Sequence, residues 1–261
     1  MRVALAQVTA SREKAENLKM ARHSMEEAAH SGALLVVFPE MFMAVPSSEQ
    51  KPADLAEPLD GPFVRTLSEQ ARKVGISIVI GIWERSQDPS KPYNTAVAID
   101  SAGRVAATYR KLHLFDALNV RESATMQPGA AAPPVWELDG VNVGMGICYD
   151  LRFPELFRSL AERGADLIVL PSAWYAGSLK EDHWLTLLRA RAIENTVYMA
   201  GANQTGGSFC GRSAAFDPFG VMLADAGETQ GLVYFDVRRD RIAEVREKLP
   251  SLAHRRRDVL G

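Results

Sequence analysis

The sequence predicts an α/β protein of two helix-covered sheets packed together. Three observations predict it: strands alternate with helices along the chain, the order of elements occurs twice, and the composition of the 261 residues, 47% hydrophobic and 24% charged, is that of a compact globular protein. A chain of this length buries about three quarters of its unfolded surface, enough to enclose a site.

The first unit opens with an apolar strand over residues 3–8 and a helical pattern over 15–30. It reaches a short buried strand, Gly32-Ala33-Leu34-Leu35-Val36-Val37-Phe38-Pro39-Glu40, which proline ends. A helix over 63–74 leads to a strand over 76–83, and residues 96–100 and 104–109 flank a Ser-Ala-Gly turn as a hairpin. The second unit repeats this order at an offset of 132 residues, where Gly164-Ala165-Asp166-Leu167-Ile168-Val169-Leu170-Pro171-Ser172 copies the buried strand. Its other elements are a strand over 141–148, helices over 155–163 and 184–194, a strand over 197–202, and a hairpin of 213–217 with 221–224 across Pro-Phe-Gly. Right-handed crossovers connect such units. A single doubly wound dinucleotide-binding sheet is the weaker alternative, because no G-x-G-x-x-G follows a strand and no Walker sequence occurs. Residues 116–134 mix Ala and Pro with charges and run on without a linker, so one domain over residues 1–261 is expected.

Thirty Lys and Arg against 32 Asp and Glu give no overall basic field, which argues against nucleic acid as a partner. The cluster His254, Arg255, Arg256 and Arg257 beside Asp258 reads as a solvated or subunit-contacting tail. The apolar run at the N-terminus is too short for a signal peptide, and no stretch approaches the length of a membrane span, so a cytoplasmic protein is expected. With only Cys148 and Cys210, a disulfide framework and a four-cysteine zinc site are excluded.

In folds of this class ligands gather at strand ends, which makes Glu40, Lys111, Cys148 and Ser172 candidates. Cys148 follows the glycine-containing strand Val143-Gly144-Met145-Gly146-Ile147 and precedes a turn that opens a helix at Pro154. At such an elbow backbone N–H groups and a helix N-terminus favour a thiolate and stabilise an oxyanion. The competing reading is a buried core cysteine. Glu40 stands where a strand leaves the core, and desolvation makes a carboxylate there a useful proton acceptor; a helix cap or a partner for arginine is the structural alternative. Lys111, in Tyr109-Arg110-Lys111-Leu112-His113-Leu114-Phe115, reads by default as a surface lysine, yet its apolar neighbours would carry its stem inward, where an ammonium stabilises charge on an attacked carbonyl.

With their flanking residues these three positions resemble the carbon-nitrogen hydrolase (nitrilase) superfamily. The Glu motif is matched by Val37-Phe38-Pro39-Glu40-Met41-Phe42, the Lys motif by residues 109–115, and the Cys motif by Gly146-Ile147-Cys148-Tyr149-Asp150-Leu151-Arg152-Phe153-Pro154-Glu155. The resemblance covers essentially the whole chain and implies a four-layer α-β-β-α sandwich with an internal pseudo-two-fold repeat, paired as a homodimer or a higher homo-oligomer. It implies Glu40 as general base, Cys148 as nucleophile and Lys111 as oxyanion stabiliser. A second family glutamate matches Glu122, in Asn119-Val120-Arg121-Glu122-Ser123, which positions the substrate or its leaving group.

Leu170-Pro171-Ser172-Ala173-Trp174 and Gly177-Ser178-Leu179-Lys180-Glu181-Asp182-His183-Trp184 look most like the Nit-type branch, which includes omega-amidase and deaminated glutathione amidase. The resemblance implies a small-molecule amide as substrate and no metal or cofactor. It places Tyr149, Trp174 and Tyr175 in the binding pocket, the Tyr149 N–H beside the oxyanion and the other two on the acyl side. A nitrilase using the same three residues and a non-catalytic binding protein on the same fold are the alternatives. His113 and His183 read as structural, Arg152 and Glu155 as an ion pair at the elbow, and Cys210 as a bystander.

Overall fold

The computed structural model describes residues 1–260. Two six-stranded sheets carry the chain. In the first, the strands run Gly231–Asp236, Arg2–Gln7, Leu35–Val37, Ser77–Glu84, Tyr93–Ile99 and Val105–Arg110 from edge to edge. In the second they run Val135–Leu138, Val141–Met145, Leu167–Ser172, Tyr198–Asn203, Ala214–Phe216 and Met222–Asp225. In each sheet the second to fourth strands are parallel and the outer ones antiparallel. The registers repeat as well. Leu35 opens its strand beside Val3, and Leu167, 132 residues later, opens its own beside Val143.

Alternation along the strands sets the layers. On the first sheet Ala4, Val36, Ile78 and Ile80 meet Ala21, Met25 and Ala28 of the helix Lys14–His30 and Phe63, Leu67 and Ala71 of the helix Pro62–Val74. The intervening residues Val3, Leu5, Val37 and Val79 turn to the second sheet and share a core with Met145, Val169 and Ala200. The helices Pro154–Glu162 and Lys180–Asn195 cover the far face through Leu156, Phe157, Leu160, Trp184 and Leu188. The layers are therefore α-β-β-α, and burial on both faces explains why the central strands read as unbroken apolar runs.

Several expectations are corrected. The strand expected over residues 141–148 stops at Met145, because Cys148–Arg152 form a 3-10 turn. The helix expected from residue 184 starts at Lys180. The edge strands Val135–Leu138 and Gly231–Asp236 and the helix Arg239–Lys248 had no expectation. The basic tail is solvent-exposed at His254, Arg256 and Arg257, as expected; Arg255 and Arg257 also pair with Glu162, the latter at 3.1 Å, and Arg256 pairs with Asp258 at 2.7 Å. Among the described residues no helix is long and apolar enough to cross a membrane.

Candidate active site

The C-terminal ends of the central strands from both sheets meet at one cavity. Glu40, Lys111, Glu122, Cys148, Tyr149, Trp174 and Tyr175, the seven site residues expected from sequence, all line it. Ser172 does not: it is fully buried and its hydroxyl turns to the Leu170 carbonyl at 3.2 Å.

Glu40 comes from the first repeat and is gripped by both. Its Oε1 accepts from Asn94 Nδ2 at 2.7 Å and Lys111 Nζ at 2.9 Å, and its Oε2 accepts from the Ala173 N–H at 2.9 Å. Gln204 Nε2 holds its carbonyl at 2.8 Å. Its loop also presses on the sheet: a Cβ at Gly81 would stand 2.8 Å from the Glu40 Cα, so only glycine lets strand and loop pass this closely. Met41 follows in the left-handed region at φ 56°.

Lys111 lies just past the strand Val105–Arg110 and is 1% exposed. Besides Glu40 it contacts both oxygens of Glu122, at 3.1 and 2.9 Å. Burial alone would discharge the ammonium, but the Glu40 and Glu122 carboxylates outweigh it and hold the lysine well above its ordinary pKa. Glu122 also accepts the Phe115 N–H at 2.7 Å; burial, aided by Glu40 and opposed by Lys111, raises its pKa.

Cys148 opens the elbow turn with φ 44°, a left-handed conformation that costs a non-glycine residue about 1–2 kcal/mol. The buried Asp150 locks this turn. It accepts from the Ile147 N–H at 2.9 Å and the Tyr109 hydroxyl at 2.8 Å, and contacts His113 Nδ1 at 2.7 Å. Cys148 shares the cavity with Glu40 and Ala173. The elbow does not favour a resting thiolate as its sequence implies. Burial and the nearby Glu40 carboxylate push the thiol well above its usual pKa, against the pull of Lys111. Tyr149 is second in the 3-10 turn, where N–H groups have no partner within the turn.

Aromatic rings form the rest of the wall. Trp174 is buried, with Nε1 donating to the Lys180 carbonyl at 2.8 Å. Tyr175 stacks 5.5 Å from Phe209 and stands 6.0 Å from Phe115, and Phe115 meets Tyr149 edge-on at 4.9 Å. The sequence reading missed Met41, Phe115, Arg152, Ala173 and Lys180 as lining residues, and Asn94 as a partner of Glu40. All but Asn94 sit inside the segments already singled out. Arg152 makes no ion pair with Glu155 among the described residues; its guanidinium lies 4.7 Å from the Trp174 ring centroid. His113 stacks on Phe153 at 3.6 Å as a structural residue, and buried Cys210 has its thiol pushed up to about 11, chiefly by desolvation.

The arrangement holds a thiol, a carboxylate and a fixed ammonium in one pocket, the components that covalent acyl transfer requires. Residues 2–247 match the carbon-nitrogen hydrolase family. A deaminated glutathione amidase of Escherichia coli O157:H7 is 39% identical over 245 residues, covering 92% of each chain. Among solved structures, the NitFhit protein of C. elegans superposes with a TM-score of 0.92 at 34% identity, over 99% of this chain and 65% of that one. A mutant of the amidase from Nesterenkonia sp. AN1 that shows covalent addition of the acetamide moiety of fluoroacetamide at its active site cysteine superposes with a TM-score of 0.84 at 30% identity, over 100% of this chain and 95% of that one.

Proposed function

The chain belongs to the carbon-nitrogen hydrolase family, and we propose that it is an amidase whose working groups are Glu40, Lys111 and Cys148, assisted by Glu122. The observation that carries the reading is that Cys148, Glu40 and Lys111 line one cavity, with the Glu40 carboxylate 2.9 Å from the Lys111 ammonium. Glu40 takes the thiol proton as sulfur attacks the amide carbon, and Lys111 with the Tyr149 N–H receives the oxyanion. Protonated Glu40 then gives its proton to the nitrogen, and ammonia leaves a thioester on Cys148. Water attacks the thioester as Glu40 removes its proton; collapse of the second tetrahedral intermediate frees the carboxylic acid and returns the proton to sulfur.

The second carboxylate favours amides over nitriles. An amide must expel its nitrogen protonated and positioned, and Glu122 lines the cavity beside Lys111 with a raised pKa suited to holding an amino group. The test compares kcat/KM for an amide and its matched nitrile. The amide is expected to be turned over and the nitrile poorly or not at all; a nitrile preference would reverse the assignment. A second reading, an amidase for the omega-amide of a 2-oxo acid or for deaminated glutathione, is favoured by the relative of that name.

On the acyl side, Trp174 and Tyr175 limit the length of the substrate. Trp174→Ala is expected to shift the ranking of aliphatic amides toward longer chains, measured as kcat/KM across a homologous series; an unchanged ranking makes the loop merely structural. One domain over residues 1–261, working in the cytoplasm as a homodimer or higher homo-oligomer, completes the proposal. Two free thiols suit a reducing compartment, and the exposed apolar residues Ile193, Phe219, Val221 and Leu223 suit a covered face.

A further inference from the structure

One buried asparagine is left half-satisfied beside the catalytic carboxylate. Asn94 is the second residue of the strand Tyr93–Ile99 and is 1% exposed. Its Nδ2 donates to Glu40 Oε1 at 2.7 Å, whereas its Oδ1 is buried and has no partner among the described residues. Other buried asparagines use both ends of the amide. Asn17 accepts the Ser11 N–H and donates to the Ser11 and Met43 carbonyls, and Asn203 accepts the Trp174 N–H and donates to the Gly211 carbonyl. An unpaired buried carbonyl carries a cost, so a purely structural role fits this position poorly. Turning the amide over would set its oxygen against the carboxylate, and the donor is therefore committed to Glu40. The main chain of Asn94 reaches a second working group, because its carbonyl accepts the Lys111 N–H at 2.9 Å.

The donors around Glu40 are distributed unevenly. Oε1 accepts from Asn94 Nδ2 and Lys111 Nζ, which fills both of its lone pairs, while Oε2 accepts only the Ala173 N–H and keeps one free. We propose that Asn94 is a positioning residue of the reaction: by closing the second lone pair of Oε1, it confines proton transfer to Oε2. The inference rests on the amidase reading and deepens it to the atom that carries the proton and the residue that selects it. The same arrangement serves both protonation states. In the carboxylate, Oε2 takes the thiol proton as the carbon–sulfur bond forms. In the acid, Oε1 is the carbonyl oxygen held by Asn94 and Lys111, and Oε2 gives that proton to the nitrogen as the carbon–nitrogen bond breaks. Glu40 is then a carboxylate again, with Oε2 open to the proton of the attacking water. Without Asn94 each oxygen would have a free lone pair. A proton lodged on Oε1 would point toward the strand Tyr93–Ile99 and away from the Ala173 side, where neither half of the reaction could use it.

Asn94→Leu removes the donor at nearly constant size. On the best amide of an aliphatic series it is expected to lower kcat about 10- to 100-fold, the scale of one hydrogen bond to a charged group, with KM within about twofold of wild type. The solvent deuterium isotope effect on kcat should rise as well, because proton transfer becomes the slower step. A merely structural loss moves neither the isotope effect nor the turnover per folded molecule. Thr95→Val is the control at the next position of the strand: it deletes the buried hydrogen bond from Thr95 Oγ1 to Glu84, 2.7 Å long, and should lower stability at unchanged kcat. Asn94→Ala adds no bulk and carries the same expected loss if leucine prevents folding. Turnover within about twofold of wild type, or a loss confined to KM with an unchanged isotope effect, overturns the role. Failure of both variants to fold overturns it too, since Asn94 would then belong to the fold alone. If the wild type hydrolyses no amide, the amidase reading fails instead, and alkylation of Cys148 by iodoacetamide, which also takes the proton from the thiol, tests the positioning by itself. The rate in Asn94→Leu is then expected to fall at least about tenfold, and an equal rate would sink the role of Asn94.

Discussion

Cys148→Ala abolishes turnover and leaves the fold standing. Without sulfur at the elbow no thioester forms, and loss of a covalent nucleophile typically lowers kcat by on the order of 10⁵ to 10⁶. Stability should change little. The side chain lines the cavity at the edge of the core, and alanine meets the same cost as cysteine at φ 44°. Cys148→Ser is expected to be equally inactive although it keeps size and shape. A hydroxyl is far harder to deprotonate than a thiol. Intact-protein mass spectrometry of the wild type with substrate should detect an acyl adduct on Cys148, and circular dichroism should report an unchanged fold in both variants. Iodoacetamide is expected to inactivate by alkylating Cys148. Inactivation with the label on Cys210 alone would move the nucleophile, although Cys210 is buried and hydrogen-bonded to Asn203 at 3.3 Å.

What the sequence disclosed follows from range. The central strands and covering helices carry their own periodicity, and the repeat that brings Gly164 to the place of Gly32 fixes a shared strand order before any contact is known. The edge strand Gly231–Asp236 escapes this logic. It is short and half-exposed, and it exists because it pairs with Arg2–Gln7 from the other end of the chain. The candidate site divides the same way. Glu40, Lys111 and Cys148 sit in distinctive local segments, whereas Asn94 lies within an ordinary strand, and only tertiary folding brings it to Glu40. The raised pKa of Cys148 was hidden for the same reason. An elbow alone favours the thiolate, and the opposing carboxylate arrives from a position 108 residues earlier. Arg152 was misassigned because Glu155 is its neighbour in sequence, while Trp174 is its neighbour in space.

Glu40→Gln should retain substrate binding and lose about 10² to 10⁴ in turnover, since it removes proton transfer from both halves of the reaction while preserving size. Whether the site tolerates the change turns on hydrogen-bond arithmetic. The three partners of the carboxylate, Asn94 Nδ2, Lys111 Nζ and the Ala173 N–H, are all donors, and a glutamine offers one oxygen and an amide that donates. Left so, a donor would face a donor in a buried site, at about 1–3 kcal/mol. Asn94 supplies the remedy, because its Oδ1 is buried without a partner, and a half-turn of its amide presents that oxygen to the new NH₂ group. Lys111 keeps its charge partner in Glu122 at 2.9 Å. The variant should therefore fold, bind and stall, with KM little changed and kcat carrying the loss. His113→Ala and His183→Ala are the controls. His113 is committed to Asp150 at 2.7 Å and His183 lines a second cavity outside the first, so their losses should reflect packing and stay well below that of Glu40→Gln. Near-normal turnover in Glu40→Gln, together with a collapse in either histidine variant, would transfer the base to that imidazole and leave Glu40 as the structural anchor of Lys111.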